Sequence, residues 1–261
     1  MTGGLVAAFD TSGPLGSVAV ARDGEVEGRR FLLRRGEHGS HLVPALEGAL
    51  QDAGAEPAHL DGLVVGSGPG SFTGIRVAAA TARGLARSLD IPLHAFSSLA
   101  AAAAADGSEL PGRAELPQAL RAPEDLPPLT PPEGAPRLVL FDARGDRAYA
   151  ATYQVREGRL HEAQAPAPVT VGELLDGGPP AATLCCGDGA LRHRRALEEA
   201  GLQVAPPPLG VPTAEALLRL LKLVPHSAPV AKPGRWTPDY LRPVGARPPM
   251  DRSGGESRGN G

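Results

Sequence analysis

Asp10-Thr11-Ser12 closes the apolar run Leu5 to Phe9 and is followed by a turn. An acid and two hydroxyls at the end of a buried strand suit the holding of magnesium and nucleotide phosphates. The same acid can equally do no more than cap its own turn through its side chain. A second candidate is Gly68-Pro69-Gly70-Ser71-Phe72-Thr73-Gly74, between an apolar run and a helical pattern. Glycines there expose backbone N–H groups beside a helix N-terminus, where an anion can be received. The loop is not a Walker A motif, because Ile75 and Arg76 follow Gly74 and no lysine does. G-x-G-x-x-G fails at Ser71, and a G-x-S-x-G nucleophile elbow fails at Pro69. Its plain reading is a sharp strand-to-helix turn that needs positive φ.

Three further clusters invite chemistry. His38 and His41, with Glu37 beside them, have three-residue spacing and no third ligand in view, so partly exposed capping histidines are favoured over a metal site. Arg192, Arg194 and Arg195 around His193 are the densest basic cluster in the folded part. They read as a solvated helix face first and as an RNA phosphate contact second. The two cysteines, Cys185 and Cys186, are adjacent, which suits neither a structural disulfide nor a metal site; they read as small buried hydrophobes on a strand.

The elements that must position these residues begin with an antiparallel meander, Leu5 to Phe9, Gly16 to Ala21 and Glu25 to Leu32, with Asp23-Gly24 as a hairpin turn. A helix is predicted from about Ser40, as N-cap, to Ala53, with Leu42, Leu46 and Leu50 four apart and Pro44 in its first turn. A strand at Leu63 to Gly66 leads through the glycine loop to a second helix, Gly74 to Leu89, whose apolar face is accompanied by small residues such as Ala78, Thr81 and Gly84. Leu93 to Phe96 is a fifth strand, and Ser97 or Ser98 caps a helix through the alanine run to Ala105.

Beyond that point Leu138 to Asp142 echoes Val6 to Asp10 at an offset of 132 residues, and Glu157-Gly158 echoes Asp23-Gly24 at 134. Two structurally related halves are one reading of this likeness, and chance similarity of generic strand-turn units is the other. The expected organisation is 1–105 as an N-terminal ribonuclease H-like domain, 106–136 as a proline-rich linker or insertion, 137–242 as a smaller related domain and 243–261 as a disordered tail. Aromatics are only 3% of the 261 residues, so the core must be built from Ala, Val and Leu. A net charge of −3 argues against an extended basic face of the kind a dedicated nucleic-acid binder carries. The apolar run at the N-terminus is too short for a signal peptide or membrane span, and a cytoplasmic location is expected.

Taken together, Phe9-Asp10-Thr11-Ser12, Glu37-His38, Gly68 to Arg76, Gly84-Leu85-Ala86, Asp142-Ala143-Arg144 and Tyr240-Leu241-Arg242 resemble the TsaB (YeaZ) family in order and spacing. The resemblance implies an α/β chain with the actin-like ATPase, ribonuclease H-like fold: two related halves, the first with a mixed five-stranded sheet. It implies a non-catalytic role in forming threonylcarbamoyladenosine on tRNA, supporting the transferase TsaD as a heterodimer, with TsaE and TsaC as further members of the system. TsaD pairing through the first two helices implicates Leu42, Leu46, Leu50, Ala78, Thr81, Ala82 and Leu85; a free homodimer would use the same face. Asp10, Ser12, Gly68, Gly70 and Thr73 would form a vestigial or shared nucleotide site. No metal site and no cofactor are expected for the chain alone, with ATP or ADP and magnesium entering only in the complex. After Asp142, where a second phosphate loop needs glycines, the run Ala143-Arg144-Gly145-Asp146 places a bulky cation and another acid, which supports that expectation. The competing readings are an independent ATPase or small-molecule kinase of the same fold, and a peptidase.

Overall fold

The computed structural model describes residues 4–33, 38–105, 110–127, 129–179 and 183–241. Glu37, Arg242 and the stretch 243–261, named above, lie outside them.

The first half opens with β1 (Leu5–Asp10), β2 (Gly16–Arg22) and β3 (Glu25–Leu32). It continues with α1 (His38–Asp52), β4 (Gly62–Gly66), α2 (Phe72–Leu89), β5 (Leu93–Phe96) and α3 (Ser98–Ala103). The second half runs β6 (Arg137–Asp142), β7 (Arg147–Arg156), β8 (Arg159–Thr170), α4 (Val171–Asp176) and β9 (Leu184–Cys186). It ends with α5 (Asp188–Arg192), α6 (Arg194–Glu199), β10 (Gln203–Val204) and α7 (Ala214–Leu223). One sheet has the order β3-β2-β1-β4-β5 and the other β10-β9-β6-β7-β8. In each, the central strand pairs antiparallel with its hairpin partner and parallel with the strand after the first helical crossover. The two sheets therefore repeat one topology, with β6 in the place of β1.

Alternation along the central strands sorts the core into layers. Leu5, Ala7 and Phe9 face outward onto Leu42, Leu46, Leu50, Ala78, Ala82 and Ala86 of α1 and α2. Leu138 and Leu140 likewise face Leu174, Ala190 and Leu197 of α4 to α6. Val6, Ala8, Val139 and Phe141 point the other way, into a layer shared with the alanines of α3 and with α7. Every residue from Leu99 to Ala105 is buried there, which answers how so few aromatics suffice: methyl-sized side chains let two sheets close on one helical layer. Gly28 does similar work outside, since a β-carbon on it would land on the carbonyl of Ala49 in α1.

One local expectation is corrected. Helix α1 starts at His38, two residues before Ser40, and places Pro44 in its second turn. The reason is tertiary: His38 is buried, with its ring packed toward Gly16, so docking extends the helix backward. Along 110–136, Leu116 and Leu120 are buried with Leu15 and Val211, and Leu126 and Leu129 pack on the flanking cores. Proline spacing hides this anchoring from any test for helical or strand periodicity, because only widely separated leucines are inserted.

Candidate functional site

Asp10 leaves the end of β1 fully buried, and its own chain occupies its carboxylate. Ser12 donates to Oδ1 from its backbone N–H at 2.7 Å and from its hydroxyl at 2.6 Å. Ser98, the first residue of α3, donates its hydroxyl to Oδ2 at 2.7 Å and accepts the N–H of Gly68 at 3.1 Å. Burial pushes the Asp10 carboxyl above its ordinary value; the bonds from Ser12 and Ser98 pull the other way and do not cancel it.

The glycine loop closes over this acid instead of opening toward a ligand. Ser67 and Gly68 spend their N–H groups on Phe96 and Ser98, and Ser71 donates to the carbonyl of Ser12 at 2.7 Å. Ser71 then caps α2, its hydroxyl accepting from Gly74 at 3.4 Å. A β-carbon at Gly66 would strike the Asp10 carboxylate, at Gly70 the Ser12 carbonyl, and at Gly74 the Thr11 carbonyl. Thr11 in turn donates its hydroxyl to the carbonyl of Gly74 at 2.7 Å. These glycines are needed for protein-on-protein approach. Asp10, Ser12, Gly68 and Gly70 thus come together in one knot, while Thr73 is exposed on the first turn of α2. Sequence reasoning missed Ser98 and Asp239, which binds Ser67 through both its N–H and its carboxylate. An N-cap search sees only Ser97 or Ser98 as a cap, and Asp239 is distant in sequence.

From the other half, Pro212 lies against Gly13, and Ala214 at the start of α7 donates its N–H to the Ser17 hydroxyl at 2.8 Å. With the apolar cluster of Leu15, Leu116, Leu120 and Val211, these contacts fill the approach to the first turn. The equivalent second turn is open. Asp142 accepts the N–H of Arg144 at 2.8 Å and pairs with Arg192, also at 2.8 Å. Arg144 and Gly145 both have positive φ and lie at the surface.

The remaining candidates resolve plainly. Leu42, Leu46, Leu50, Ala78 and Ala82, implicated above in partner contact, are buried against their own sheet. The reason is that three-and-four spacing of apolar residues marks the stripe a helix buries at home. Thr81 and Leu85 are half-exposed and sit on the outward side. His38 is buried and His41 exposed, and among the described residues no three His, Cys, Asp or Glu side chains form a group able to hold a metal. Arg194 pairs with Asp125 and Glu198, and Arg195 with Glu199, so the 192–195 cluster is largely neutralised. The cysteines are free and buried on β9, and burial pushes the Cys185 thiol up to about 12. Among the described residues no helix is long and apolar enough to cross a membrane.

Two sheets of identical strand order, with central strands ending in matching aspartate turns and helices α3 and α7 between them, define an actin-like α/β fold. A family model described as TsaD, tRNA N6-adenosine threonylcarbamoyltransferase, matches residues 34–122, which contain α1, the glycine loop and α2. The chain is 32% identical over 157 residues to the tRNA threonylcarbamoyladenosine biosynthesis protein TsaB of Bacillus subtilis, covering 60% of this chain and 58% of that protein. It is 40% identical over 98 residues to the protein of the same name from Haemophilus influenzae, covering 38% of this chain and 41% of the other. The matches thus span less than two thirds of these relatives' lengths. The solved structure of YeaZ from Pseudomonas aeruginosa superposes with a TM-score of 0.68 at 25% identity, over 91% of this chain and all of the other. Over these matches the chain is similar to TsaB (YeaZ) proteins.

Proposed function

We propose that this chain is a non-catalytic subunit in the formation of threonylcarbamoyladenosine on tRNA, and that it acts in the cytoplasm by binding a TsaD-type transferase. The observation that supports the reading is the buried Asp10, whose two oxygens accept from Ser12 and Ser98 under a loop packed glycine-to-carbonyl, so that its carboxylate is bonded within the chain. The names of the Bacillus and Haemophilus relatives supply the pathway. Nucleotide and magnesium would then be held by the partner, with TsaE and TsaC completing the system.

The partner face we assign is the outward ridge of α1 and α2: exposed Val43 and Ala80, half-exposed Val77, Thr81 and Leu85, and Gly84, around which a β-carbon would meet nothing. Small side chains there let another helix pair approach closely, and a free homodimer would cover the same apolar ground. Thr81→Arg and Gly84→Arg should each weaken binding to the transferase at least about tenfold, a loss of about 1.4 kcal/mol, with the melting temperature unchanged. Titration calorimetry measures this, and undiminished affinity in both variants would remove the ridge from the assignment.

A second reading, an independent ATPase or kinase, keeps Asp10 as a magnesium ligand. It requires the turn to open, and triphosphate turnover by the isolated chain that Asp10→Ala abolishes would establish it. A peptidase has less support, although one solved relative is described as similar to "peptidase YEAZ". Ser12 and Ser98 give their hydroxyl protons directly to a carboxylate, with no imidazole between them to act as base.

A further inference from the structure

Although the chain as a whole carries a net charge of −3, one strip of its surface is cationic throughout. On α2, Phe72, Arg76, Arg83 and Arg87 recur at intervals of four, seven and four residues, and all are exposed. At 3.6 residues per turn they fall within about 60° of one another along about 22 Å of helix. The segment around the short turn Pro233–Arg235 packs beside α2, with Arg83 donating to the carbonyl of Gly234 at 2.6 Å. It adds Lys232 and Arg235, both exposed. Among the described residues none of these five cations is in an ion pair, in contrast to Arg192, Arg194 and Arg195. Asp90 stands at the C-cap of α2, and Asp239 is tied to Ser67.

The N-terminal end of the strip is aromatic. The Arg76 guanidinium lies 3.7 Å from the centroid of the Phe72 ring and 5.9 Å from that of Tyr240. The rings themselves are 5.7 Å apart and tilted by 52°. Phe72 is 56% exposed and Tyr240 43%, so a chain with few aromatics keeps two of them at the surface against one arginine. Uncompensated charge alone would suit any polyanion. Charge that ends on a ring–guanidinium platform suits one whose repeating unit also carries a flat π-face, because stacking and phosphate neutralisation then act on the same strand.

We propose that this strip is a contact for single-stranded RNA, in which Phe72, Arg76 and Tyr240 stack an unpaired base while Arg83, Arg87, Lys232 and Arg235 neutralise the backbone beyond it. The proposal rests on the reading that the chain serves tRNA modification, and names the surface by which this subunit touches the RNA. The strip lies beside the small-residue ridge on α2, with Arg83 and Arg87 one turn from Ala80 and Gly84.

The test uses the full chain and a fluorescent 17-nucleotide RNA stem-loop with an unpaired loop, followed by anisotropy at about 50 and 200 mM salt. Binding should fall in the range of about 10⁻⁴ to 10⁻⁶ M, with a log–log salt slope near −2.8, about 0.7 for each of four neutralised phosphates. Arg87→Gln combined with Lys232→Gln should weaken it at least about tenfold and flatten the slope by about 1 or more. Phe72→Ala should weaken it by about 5- to 150-fold without changing the slope, and Phe72→Trp should restore it. No binding at the lower salt, or binding indifferent to all these changes, overturns the proposal. A labelled polyglutamate of equal charge binding as tightly as the RNA, with Phe72→Ala leaving both unaffected, overturns it in favour of an acidic protein partner. None of these variants touches the ridge, so transferase binding by the same proteins reports separately on the proposed function.

Discussion

Asp10 and Asp142 each end the central strand of a sheet, and each accepts a bond from the backbone N–H two residues on, Ser12 at 2.7 Å and Arg144 at 2.8 Å. Beyond that bond the two turns diverge. Around Asp10 every further partner is a neutral donor from its own half, and the side chain meets no water. Around Asp142 the further partner is the Arg192 guanidinium, and a quarter of the side chain stays exposed. A turn of one covalent plan can thus be a core element or a surface element, depending on what its neighbours lack: glycines at 66, 70 and 74 let the backbone close over the first. The second has exposed Arg144 and Gly145 at its tip instead. The first turn is covered by its own loop, and the second carries a cation at its exposed tip.

The comparison breaks most sharply at the glycines. Gly74→Ala puts a methyl on the Thr11 carbonyl, a contact of backbone with backbone that no rotamer can relieve. A loss of about 3 kcal/mol is expected, at the upper end for overpacked sites. Gly145→Ala in the second turn meets nothing within 4 Å and suffers only the left-handed backbone, φ +68°, about 1 to 2 kcal/mol. Urea unfolding of both variants measures the pair. Equal losses would mean that the first turn is as yielding as the second.

Next come the acids themselves. Asp10→Ala strands the buried Ser12 and Ser98 donors, at about 1 to 3 kcal/mol for an unsatisfied group, so a total near 2 to 3 kcal/mol is expected. Asp142→Ala removes one turn bond and a half-exposed ion pair, worth about 1 kcal/mol or less. Thermal unfolding should rank them in that order. A reversed ranking would make the second turn the structural one.

Much of this was legible in sequence because it rests on local signals. Period-two strands, the Asp23-Gly24 hairpin and the Leu42, Leu46, Leu50 stripe all depend on neighbours within a few residues, and the structure has the corresponding strands and helices. The duplication was legible too, since Phe9-Asp10 and Phe141-Asp142 occupy the same place in their sheets. What a helix stripe cannot reveal is its audience: the resemblance implicated Leu46 and Ala82 in partner contact, and both are buried against the home sheet. The basic strip was hidden for the opposite reason. Arg76, Arg83 and Arg87 are diluted by alanines in sequence, and Lys232 and Arg235 arrive from 145 or more residues away, whereas the conspicuous 192–195 cluster brings its own acids. Ser98 was seen as a cap and not as a ligand of Asp10, because 88 residues separate them.

The smallest effect sharpens the comparison furthest, because it asks which charge state the first turn is built for. Burial holds the Asp10 carboxyl above its ordinary value of 3.8 in the folded chain, while in the unfolded chain it titrates at that ordinary value. Above 3.8 the folded state therefore binds the proton more tightly than the unfolded state does, and stability falls as pH rises through the folded value. The stabilisation is present in full below 3.8 and absent above the raised value. Asp10→Asn cannot titrate, so the stability of wild type minus variant, read from urea midpoints from about pH 3.5 upward, should decline as pH rises. Taking the difference cancels the other carboxylates, and Asp142→Asn controls for loss of a turn-capping acid at the surface. A difference that instead rises with pH would mean that Ser12 and Ser98 hold Asp10 ionised against its burial. A buried, fully bonded anion of that kind is prepared for a cation, and the ATPase reading would then have to be taken up again from this residue outward.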